Sequence, residues 1–437
     1  MTAISFEEFE YKKLESIDDI KLEAARRVNN YDGNLNSVEQ RKDFTKKIVG
    51  DILKERAASM LSQGQSMPTL EEDSLLIETL VSSMFGMGNL QSYLQDEQVE
   101  NIDINGPSEV WLTYANGKKI RAGKIADSDA DLIDTIRSIA TRSGLAERRF
   151  DSACPELDIR LPDGSRLSAV MEVCKHPVVS IRRHRFVDVT IHDELKLGLL
   201  DEFMASLLSS CVKAGKNIMI AGRTNSGKTT LLRALANEIS ESERIITIEQ
   251  SLELGLDQLT DRHPDCIALE ARLPNAEGIG EITMADLVRR SLRLNPDRVI
   301  VGETLGPEII ALLNAMSQGF GSLATIHADS SYGVFNRIAS YAAQSAEKLP
   351  LEATNMLIAG SIDFIVYVSL FVDPNSQKMT RRVTSIREIV GADGNMVISN
   401  EIVKYGKDNG TTIGSPISSE VMSDLAAFGF QLKAVAI

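Results

Sequence analysis

The feature that most constrains this chain is an eight-residue segment that begins at Gly222 and fits the pattern G-x-x-x-x-G-K-[ST] at every fixed position. The apolar residues 218–221 precede it and predict a buried strand, and apolar residues recur after it at helical spacing. A strand, a glycine-containing loop and a helix in this order predict a phosphate-binding loop. The predicted nucleotide-binding residues are Gly222, Arg223, Thr224, Asn225, Ser226, Gly227, Lys228, Thr229 and Thr230.

The residue types of this loop suit a nucleoside triphosphate with Mg²⁺. Glycines let successive backbone N–H groups point at one anion, and the helix that follows adds the positive end of its dipole. Lys228 is expected to reach the β- and γ-phosphates, and Thr229 to offer its hydroxyl to Mg²⁺. The alternative, an ordinary glycine-rich turn, is disfavoured because strand, loop and helix all agree. The sequence therefore predicts ATP and Mg²⁺ as cofactors.

Composition limits the classes of protein to which the chain can belong. Its 437 residues are enough for two or three domains, and 43% hydrophobic with 25% charged residues is usual for a soluble globular protein. A net charge of −15 argues against a surface that neutralises nucleic-acid phosphates. The N-terminus lacks a basic and apolar leader pattern, and no segment approaches the ~20 apolar residues that span a bilayer. We therefore expect a cytosolic protein that does not bind nucleic acid directly.

The four cysteines and five histidines are dispersed along the chain. Cys154, Cys174, Cys211 and Cys266 form no C-x-x-C pair, which is typical of reduced thiols rather than of disulfides or a zinc site. The sequence therefore predicts no structural metal.

Residues 1–75 predict a helical N-terminal region, with helices at residues 17–27 and 38–60 separated by residues 29–34. Narrow apolar stripes mark these helices. They consist of Leu22, Ala25, Val28, Phe44, Ile48, Ile52 and Leu53. The stripes indicate packing against another part of the protein, although a loosely attached helical arm explains them equally well.

Residues 76–185 predict a small α/β domain of PAS-like type. Strand patterns at residues 99–104 and 110–114 and a helix at 131–143 belong to it. One hairpin is expected to turn at Asn116 and Gly117, and another at residues 162–165. The domain ends in a basic cluster, residues 182–185, and residues 186–194 form a linker. Such a cluster is usually only a solvated surface.

Residues 195–405 alternate strands with amphipathic helices, which predicts a mainly parallel sheet with crossover helices. Strands at residues 245–248, 298–301 and 322–326 are each followed by a polar residue. Those residues are Glu249, Glu303 and His327. Because the carboxyl ends of strands in such a sheet face the ligand, all three are expected on the side of the phosphate-binding loop.

Glu303 is the best candidate to polarise an attacking water and to support Mg²⁺. Gly302 stands where the usual acidic strand motif has Asp, so Mg²⁺ would depend on Thr229, the phosphates and water. A glutamate after a strand is often merely exposed. His327 by itself is more often a hydrogen-bonded core histidine than a sensor of the γ-phosphate.

The C-terminal part of the chain predicts a β-meander followed by a tail. Strands are expected at residues 362–370, 379–390 and 396–404, joined by turns at residues 373–375 and 392–395. Residues 406–437 form the tail. We expect it to be weakly structured until a short helix at residues 418–428.

Several of these segments together resemble the secretion ATPases of type II and type IV secretion systems and type IV pili. The likeness is greatest to the Tad/Flp pilus-assembly branch. The core segments are residues 247–249, 298–303 and 321–330. The likeness extends to residues 86–90, 104–107, 160–166, 180–183 and 382–386. In all, it covers roughly residues 76–405. The ordered series of motifs is more specific than any one of them.

This resemblance implies a homohexameric ring in which each protomer has an N-terminal domain and a RecA-like ATPase domain, with the nucleotide between them. It implies an ATPase motor in the cytoplasm, peripheral at the inner face of the membrane, with membrane platform proteins of a pilus or secretion machine as partners. The implied site residues are Lys228 and Thr229 for phosphates and Mg²⁺, Glu303 as the Walker B-type acid, Glu249 and Glu253 as an acidic box, and His327 in a histidine box.

The resemblance also implies that arginines of the N-terminal domain and linker reach the phosphates. Arg182 and Arg183 are the first candidates, and Arg160 and Arg166 are the next. A guanidinium from a mobile domain neutralises transition-state charge only when the cleft closes. The competing interpretation of Arg182 and Arg183 remains a solvated basic surface.

Two positions differ from the family pattern. Gln250 follows Glu249 where the acidic box usually continues with Asp, and Leu305 stands where an Arg usually follows the Gly-Glu pair. These differences motivate one alternative, a ring that binds nucleotide but serves as a scaffold. A nucleic-acid translocase on the same core is a second alternative, disfavoured by the acidic charge. Within the class, the runner-up is a conjugative or effector-exporting type IV secretion motor.

Overall fold

A computed structural model describes residues 90–431 apart from residues 97, 115–116, 143–148, 162, 184–187, 273, 275–277, 373–378 and 406–410. Of residues 1–89, it describes residues 38–62 and single positions within 20–28 and 69–81. Several expectations therefore fall wholly or partly outside the described residues: the break at residues 29–34, Leu22 and Ala25 of the stripes, the segment 86–89, Asn116 of the first hairpin turn, residue 162 of the second, the second half of the basic cluster, the start of the linker and the turn at residues 373–375. The chain folds as two compact units, residues 1–159 with 167–182 and residues 160–166 with 183–437.

The first helix, α1 (Val38–Ser62), extends the predicted helix by two residues and buries its apolar stripe. Its residues Ile52 and Leu53 belong to a small core that also contains Ile20, Ala24 and Leu80. A loosely attached arm would leave such residues exposed. The packing alternative is therefore favoured for this part of the stripe.

The first unit continues with two helices and a six-stranded sheet. They are α2 (Leu90–Gln95), β1 (Val99–Asn105), β2 (Val110–Tyr114), β3 (Lys119–Ala122), α3 (Asp129–Arg142), β4 (Glu156–Arg160), β5 (Arg166–Val170) and β6 (Val178–Arg182). The strand order is β3-β2-β1-β6-β5-β4, and β1 pairs antiparallel with both β2 and β6. Strands β2 and β3 pair on either side of the first predicted hairpin turn, and β4 and β5 are neighbours on either side of the second. Gly117 (φ 81°) and Gly164 (φ 86°) adopt the left-handed conformation that such turns require.

The second unit is organised around a nine-stranded sheet. Its strands are β7 (Ile218–Gly222), β8 (Ile245–Glu249), β9 (Cys266–Glu270), β10 (Arg298–Thr304), β11 (Leu323–His327), β12 (Phe364–Val372), β13 (Met379–Asp393), β14 (Met396–Tyr405) and β15 (Thr411–Ile413). The order is β15-β14-β13-β12-β7-β11-β10-β8-β9. Pairing is parallel from β9 across to β12 and antiparallel from β12 to β15. The predicted mainly parallel sheet with a C-terminal meander is confirmed.

Helices cover both faces of this sheet. They are α4 (Ile191–Lys196), α5 (Glu202–Lys213), α6 (Lys228–Ala236), α7 (Met284–Ser291), α8 (Ile309–Met316), α9 (Gly333–Gln344), α10 (Leu351–Ala359) and α11 (Ser419–Ala427). The side chains of β7 alternate between two separate cores. Ile218 and Ile220 pack in one, and Met219 and Ala221 pack in the other. A strand with both faces buried must be apolar throughout, which explains the continuous apolar run before the phosphate-binding loop.

Helix α7 begins at a capping box formed by Thr283 and Asp286 and ends at Ser291. The N–H groups of Arg293 and Leu294 bond to carbonyls only three residues back, so the last turn tightens and the α-helix stops. Asn295 then takes a left-handed φ of 52° and redirects the chain.

The tail is more ordered than its composition predicts. Residues 411–413 add β15 to the edge of β14, and α11 follows one residue later than expected. Leu425 and Phe430 are fully buried in the core shared with α5. Phe430 meets Phe203 edge to face, with ring centroids 5.8 Å apart. Long-range burial of two apolar side chains therefore holds a segment that has few local signals.

Candidate active site

The phosphate-binding loop, hereafter the P-loop (residues 222–229), leaves the carboxyl end of β7 in the middle of the large sheet. A Cβ on Gly222 would lie 2.5 Å from both Ser226 Oγ and the Val368 carbonyl oxygen, so only glycine fits there. Asn225 (φ 61°) and Gly227 (φ 100°) are both left-handed. Left-handed residues interspersed with right-handed ones form an anion-binding concavity of backbone N–H groups.

Helix α6 begins directly at Lys228, and no side chain caps its first turn. The first N–H groups of a helix have no partner within the helix, and its dipole is positive at this end. The loop and the helix terminus together therefore suit the phosphates of a nucleotide. Thr229 and Thr230 are half-buried in this first turn.

Three predicted site residues are joined in one line of contacts on the β11 flank of the P-loop. Lys228 Nζ lies 3.2 Å from His327 Nδ1 and donates to the Arg223 carbonyl oxygen at 3.1 Å. On the other side of the ring, His327 Nε2 lies 2.6 Å from Glu303 Oε1. An ammonium group only donates, so Nδ1 accepts from Lys228 and the Nε2–H donates to the carboxylate.

Glu303 and His327 are also accessible, since their side chains are 40% and 30% exposed. Their strands β10 and β11 are neighbours, and the hydroxyl of Thr325 ties them together by donating to the Gly302 carbonyl oxygen at 2.7 Å. Lys228, by contrast, is buried. An acid, an imidazole and an ammonium thus meet where a phosphate bound in the P-loop would end.

Glu249 lies at the corresponding position of β8 but in a different environment. It is only 3% exposed, and its Oε2 accepts the N–H groups of Glu253 and Leu254 at 2.7 and 2.8 Å. Burial raises the pKa of the Glu249 carboxyl to about 7, against the effect of these two hydrogen bonds. The side chain therefore holds the turn that follows its own strand.

The position of Glu249 also accounts for Gly302. β8 and β10 pair in register up to Ile248 and Val301, which places Glu249 beside Gly302. A Cβ on Gly302 would lie 2.9 Å from Glu249 Cγ and 3.3 Å from its Oε2. The space that an aspartate would fill on β10 is thus occupied by a carboxylate from β8.

Comparisons with known proteins show the family of this chain. A profile described as Type II/IV secretion system protein matches residues 86–404. The chain belongs to this family. It is 30% identical over 328 residues to a putative conjugal transfer protein of Mycobacterium tuberculosis, covering 73% of this chain and 88% of that protein. It is also 30% identical over 315 residues to the type IV secretion system protein PtlH of Bordetella pertussis, covering 65% of this chain and 89% of that protein.

Among solved structures, the VirB11 ATPase from the Brucella suis type IV secretion system is similar, with 27% identity, 68% of this chain and 91% of that chain covered, and a TM-score of 0.36. The fold of this chain follows from its own sheet order. The second unit is a RecA-like domain, as the sequence predicted, with the P-loop strand inside a parallel sheet. No helix in the described part of the chain is both long and apolar enough to cross a membrane.

Other predicted residues lie in the turn after β8 and in the P-loop. Glu253 is half-buried, and Arg233 donates to its backbone carbonyl and to that of Leu254, so the turn after Glu249 is fixed from both sides. Thr224 is exposed. Arg223 is exposed as well, and its Nε donates to Asp329 at 3.1 Å.

The four arginines predicted to reach the phosphates lie at strand ends. Arg160 ends β4, Arg166 begins β5 and Arg182 ends β6, while the second unit resumes at Arg183. Arg182 is exposed and Arg183 half-buried. Their role in the site stays a prediction.

Sequence reasoning missed Arg381, which donates through Nε to the Asn225 carbonyl oxygen at 3.0 Å. It also missed Arg233, which is buried in α6 behind the P-loop, where burial lowers its pKa. An arginine among the apolar residues of a predicted helix was a usable signal for Arg233. Arg381 stands among alternating polar residues of an ordinary strand, so nothing local distinguished it.

Proposed function

We propose that this chain is a Mg²⁺-dependent ATPase that energises a secretion or pilus-assembly machine. The observation that carries the proposal is the line of contacts from Lys228 through His327 to Glu303 beside the P-loop. Phosphoryl transfer to water needs positioned positive charge and an oriented nucleophile more than covalent chemistry. These three side chains offer both on one flank of the loop.

Each residue has a role that its contacts support. Lys228 neutralises the β- and γ-phosphates, and Glu303 orients the attacking water and takes its proton. His327 holds the Glu303 carboxylate in place through the 2.6 Å contact. Thr229 would hold Mg²⁺ through its hydroxyl together with the phosphates, and the ion would supply positive charge that neutralises the phosphates. Glu249 shapes the neighbouring turn instead of contacting the phosphates.

The finer assignment rests on the resemblance of the sequence motifs. We propose a homohexameric motor of the Tad/Flp pilus-assembly branch that works in the cytoplasm on membrane platform proteins. ATP binding closes the two units on each other, and Arg182 and Arg183 then approach the phosphates. A conjugative or effector-exporting type IV secretion motor is the second candidate, which the names of the relatives favour.

Replacement of Lys228 tests the proposal. Lys228→Ala is expected to lower ATP turnover at least ~100-fold and to weaken ATP binding, because it removes the cation aimed at the β- and γ-phosphates. Steady-state phosphate release and ATP titration measure both effects. Lys213→Ala is the matched control. It removes an exposed lysine at the end of α5, whose side chain pairs with Glu238. Turnover near that of the control would contradict the proposed ATPase.

A further inference from the structure

Strand β13 brings a residue to the P-loop from the flank opposite to Glu303. Val383 pairs with Val368 of β12, and Val368 pairs in turn with Gly222 at the start of the P-loop. Arg381 stands two residues before Val383, opposite Leu370, so it lies beyond the carboxyl end of β7. The strand register of the large sheet thus places Arg381 at the edge of the sheet from which the P-loop leaves β7.

Arg381 contacts both left-handed residues of the P-loop. Its Nε donates to the carbonyl oxygen of Asn225 at 3.0 Å. Its Cδ lies 3.2 Å from the position that a Cβ of Gly227 would take, so the aliphatic part of the side chain covers this glycine. Asn225 is a non-glycine residue in the left-handed region, a conformation that the surrounding structure must hold, whereas Gly227 adopts its positive φ without strain. A side chain that holds both of them stabilises the curled form of the loop.

Helix α4 supplies the opposite charge to Arg381. Glu194 is 3% exposed, its Oε1 has no hydrogen-bond partner among the described residues, and its charge interacts with that of Arg381. Burial raises the pKa of the Glu194 carboxyl to about 7, and Arg381 opposes this rise. The chain just after α4 is bonded to β13, because the Val383 N–H donates to the Leu199 carbonyl oxygen at 2.9 Å. Arg381 therefore contacts the loop and interacts electrostatically with a buried acidic group on α4.

We propose that Arg381 is a positioning residue that holds the P-loop in its phosphate-binding conformation and so sets the affinity for the phosphates that ADP and ATP share. This inference rests on the proposed function, since it concerns the same nucleotide site. The backbone of the loop surrounds the phosphates common to both nucleotides, whereas Glu303 and His327 lie on the flank where only ATP has a further phosphate. Loss of Arg381 must therefore weaken both nucleotides alike.

The test compares Arg381→Ala with Arg382→Ala in the full chain. Arg382 is the neighbouring exposed arginine, but it donates to the Tyr405 hydroxyl at 3.0 Å. We expect Arg381→Ala to raise the dissociation constants of ADP and ATP by the same factor, about tenfold, and Arg382→Ala to change neither. The KM for ATP should rise by a similar factor while kcat stays within about twofold, because an interaction made equally in ground and transition states affects binding alone.

Two further measurements separate positioning from a merely structural or electrostatic role. Arg381→Lys keeps the charge but lacks the planar guanidinium, so it should bind both nucleotides as weakly as Arg381→Ala. Thermal unfolding of all variants should agree within a few degrees. Unchanged dissociation constants in Arg381→Ala, weakening of ATP alone, or full recovery with lysine would each overturn the inference.

The same titrations separate this inference from the proposed function. If the unmodified protein binds neither ADP nor ATP, the proposed ATPase itself is wrong. If the unmodified protein binds both, Lys228→Ala binds poorly and Arg381→Ala binds normally, only the role of Arg381 is wrong. Isothermal titration with each nucleotide provides all of these values.

Discussion

The carboxyl ends of β8 and β10 carry the same residue type in opposite environments. Both strands are largely buried, both carry a glutamate in their last two residues, and they are hydrogen-bonded neighbours. Glu249 is 3% exposed and holds backbone N–H groups, whereas the Glu303 side chain is 40% exposed and bonds to His327. The strand that delivers an acid therefore does not decide what the acid does.

The turn after each strand causes the difference. After β8, the chain curls back so that the N–H groups of Glu253 and Leu254 meet the Glu249 carboxylate. After β10, the next turn has its own acceptor, because Glu308 Oε1 receives the N–H groups of Leu305 and Gly306 at 2.5 and 2.9 Å. Glu303 is thereby left for the site. Whether a carboxylate at a strand end is available to the P-loop therefore depends on the turn that follows the strand.

The largest expected effect comes from Glu303→Gln. The amide keeps the shape of the side chain but cannot accept a proton, so kcat should fall by about 10²–10⁴ while ATP binding is retained. Single-turnover hydrolysis and ATP titration on the same sample measure this split. Rapid turnover by Glu303→Gln would remove Glu303 from the catalytic role and with it the contrast between the two strand ends.

An intermediate effect is expected at the other strand end. Glu249→Ala leaves the N–H groups of Glu253 and Leu254 without their acceptor and should lower the free energy of unfolding by about 1–3 kcal/mol. Glu249→Gln keeps an acceptor oxygen, so its loss should be smaller, and its kcat should fall far less than that of Glu303→Gln. Denaturant unfolding and turnover assays check the two parts. A loss of kcat in Glu249→Gln as large as in Glu303→Gln, at unchanged stability, would make the two acids equivalent.

Local patterns predicted the features of this fold that depend on residues close in sequence. The P-loop, the parallel sheet and the meander all follow from spacing within a few residues. The burial of Glu249 depends instead on a turn and on Gly302 of a neighbouring strand, and the contact of Arg381 with Asn225 spans 156 residues. Such long-range relations have no local periodicity, so the sequence could not reveal them.

The smallest expected effect is the pH dependence that Glu249, the buried member of the pair, gives to stability. Burial raises the pKa of Glu249 to about 7 in the folded protein, above its ordinary value of 4.5. Between these two pH values the folded state binds more protons than the unfolded state, so the stability contributed by this residue falls as pH rises through this range and levels off above it. A change from 4.5 to about 7 corresponds to at most about 3.4 kcal/mol.

Glu249→Gln carries no proton that titrates in this range, so it should lose this part of the pH dependence. Its melting temperature should lie below that of the unmodified protein at pH 5 and approach or exceed it at pH 8. Glu352→Gln is the control, because it replaces an exposed glutamate on α10. Scanning calorimetry at both pH values compares the three proteins. Parallel slopes in all of them would mean that Glu249 is ionised in the fold at pH 5, and that its backbone hydrogen bonds outweigh its burial.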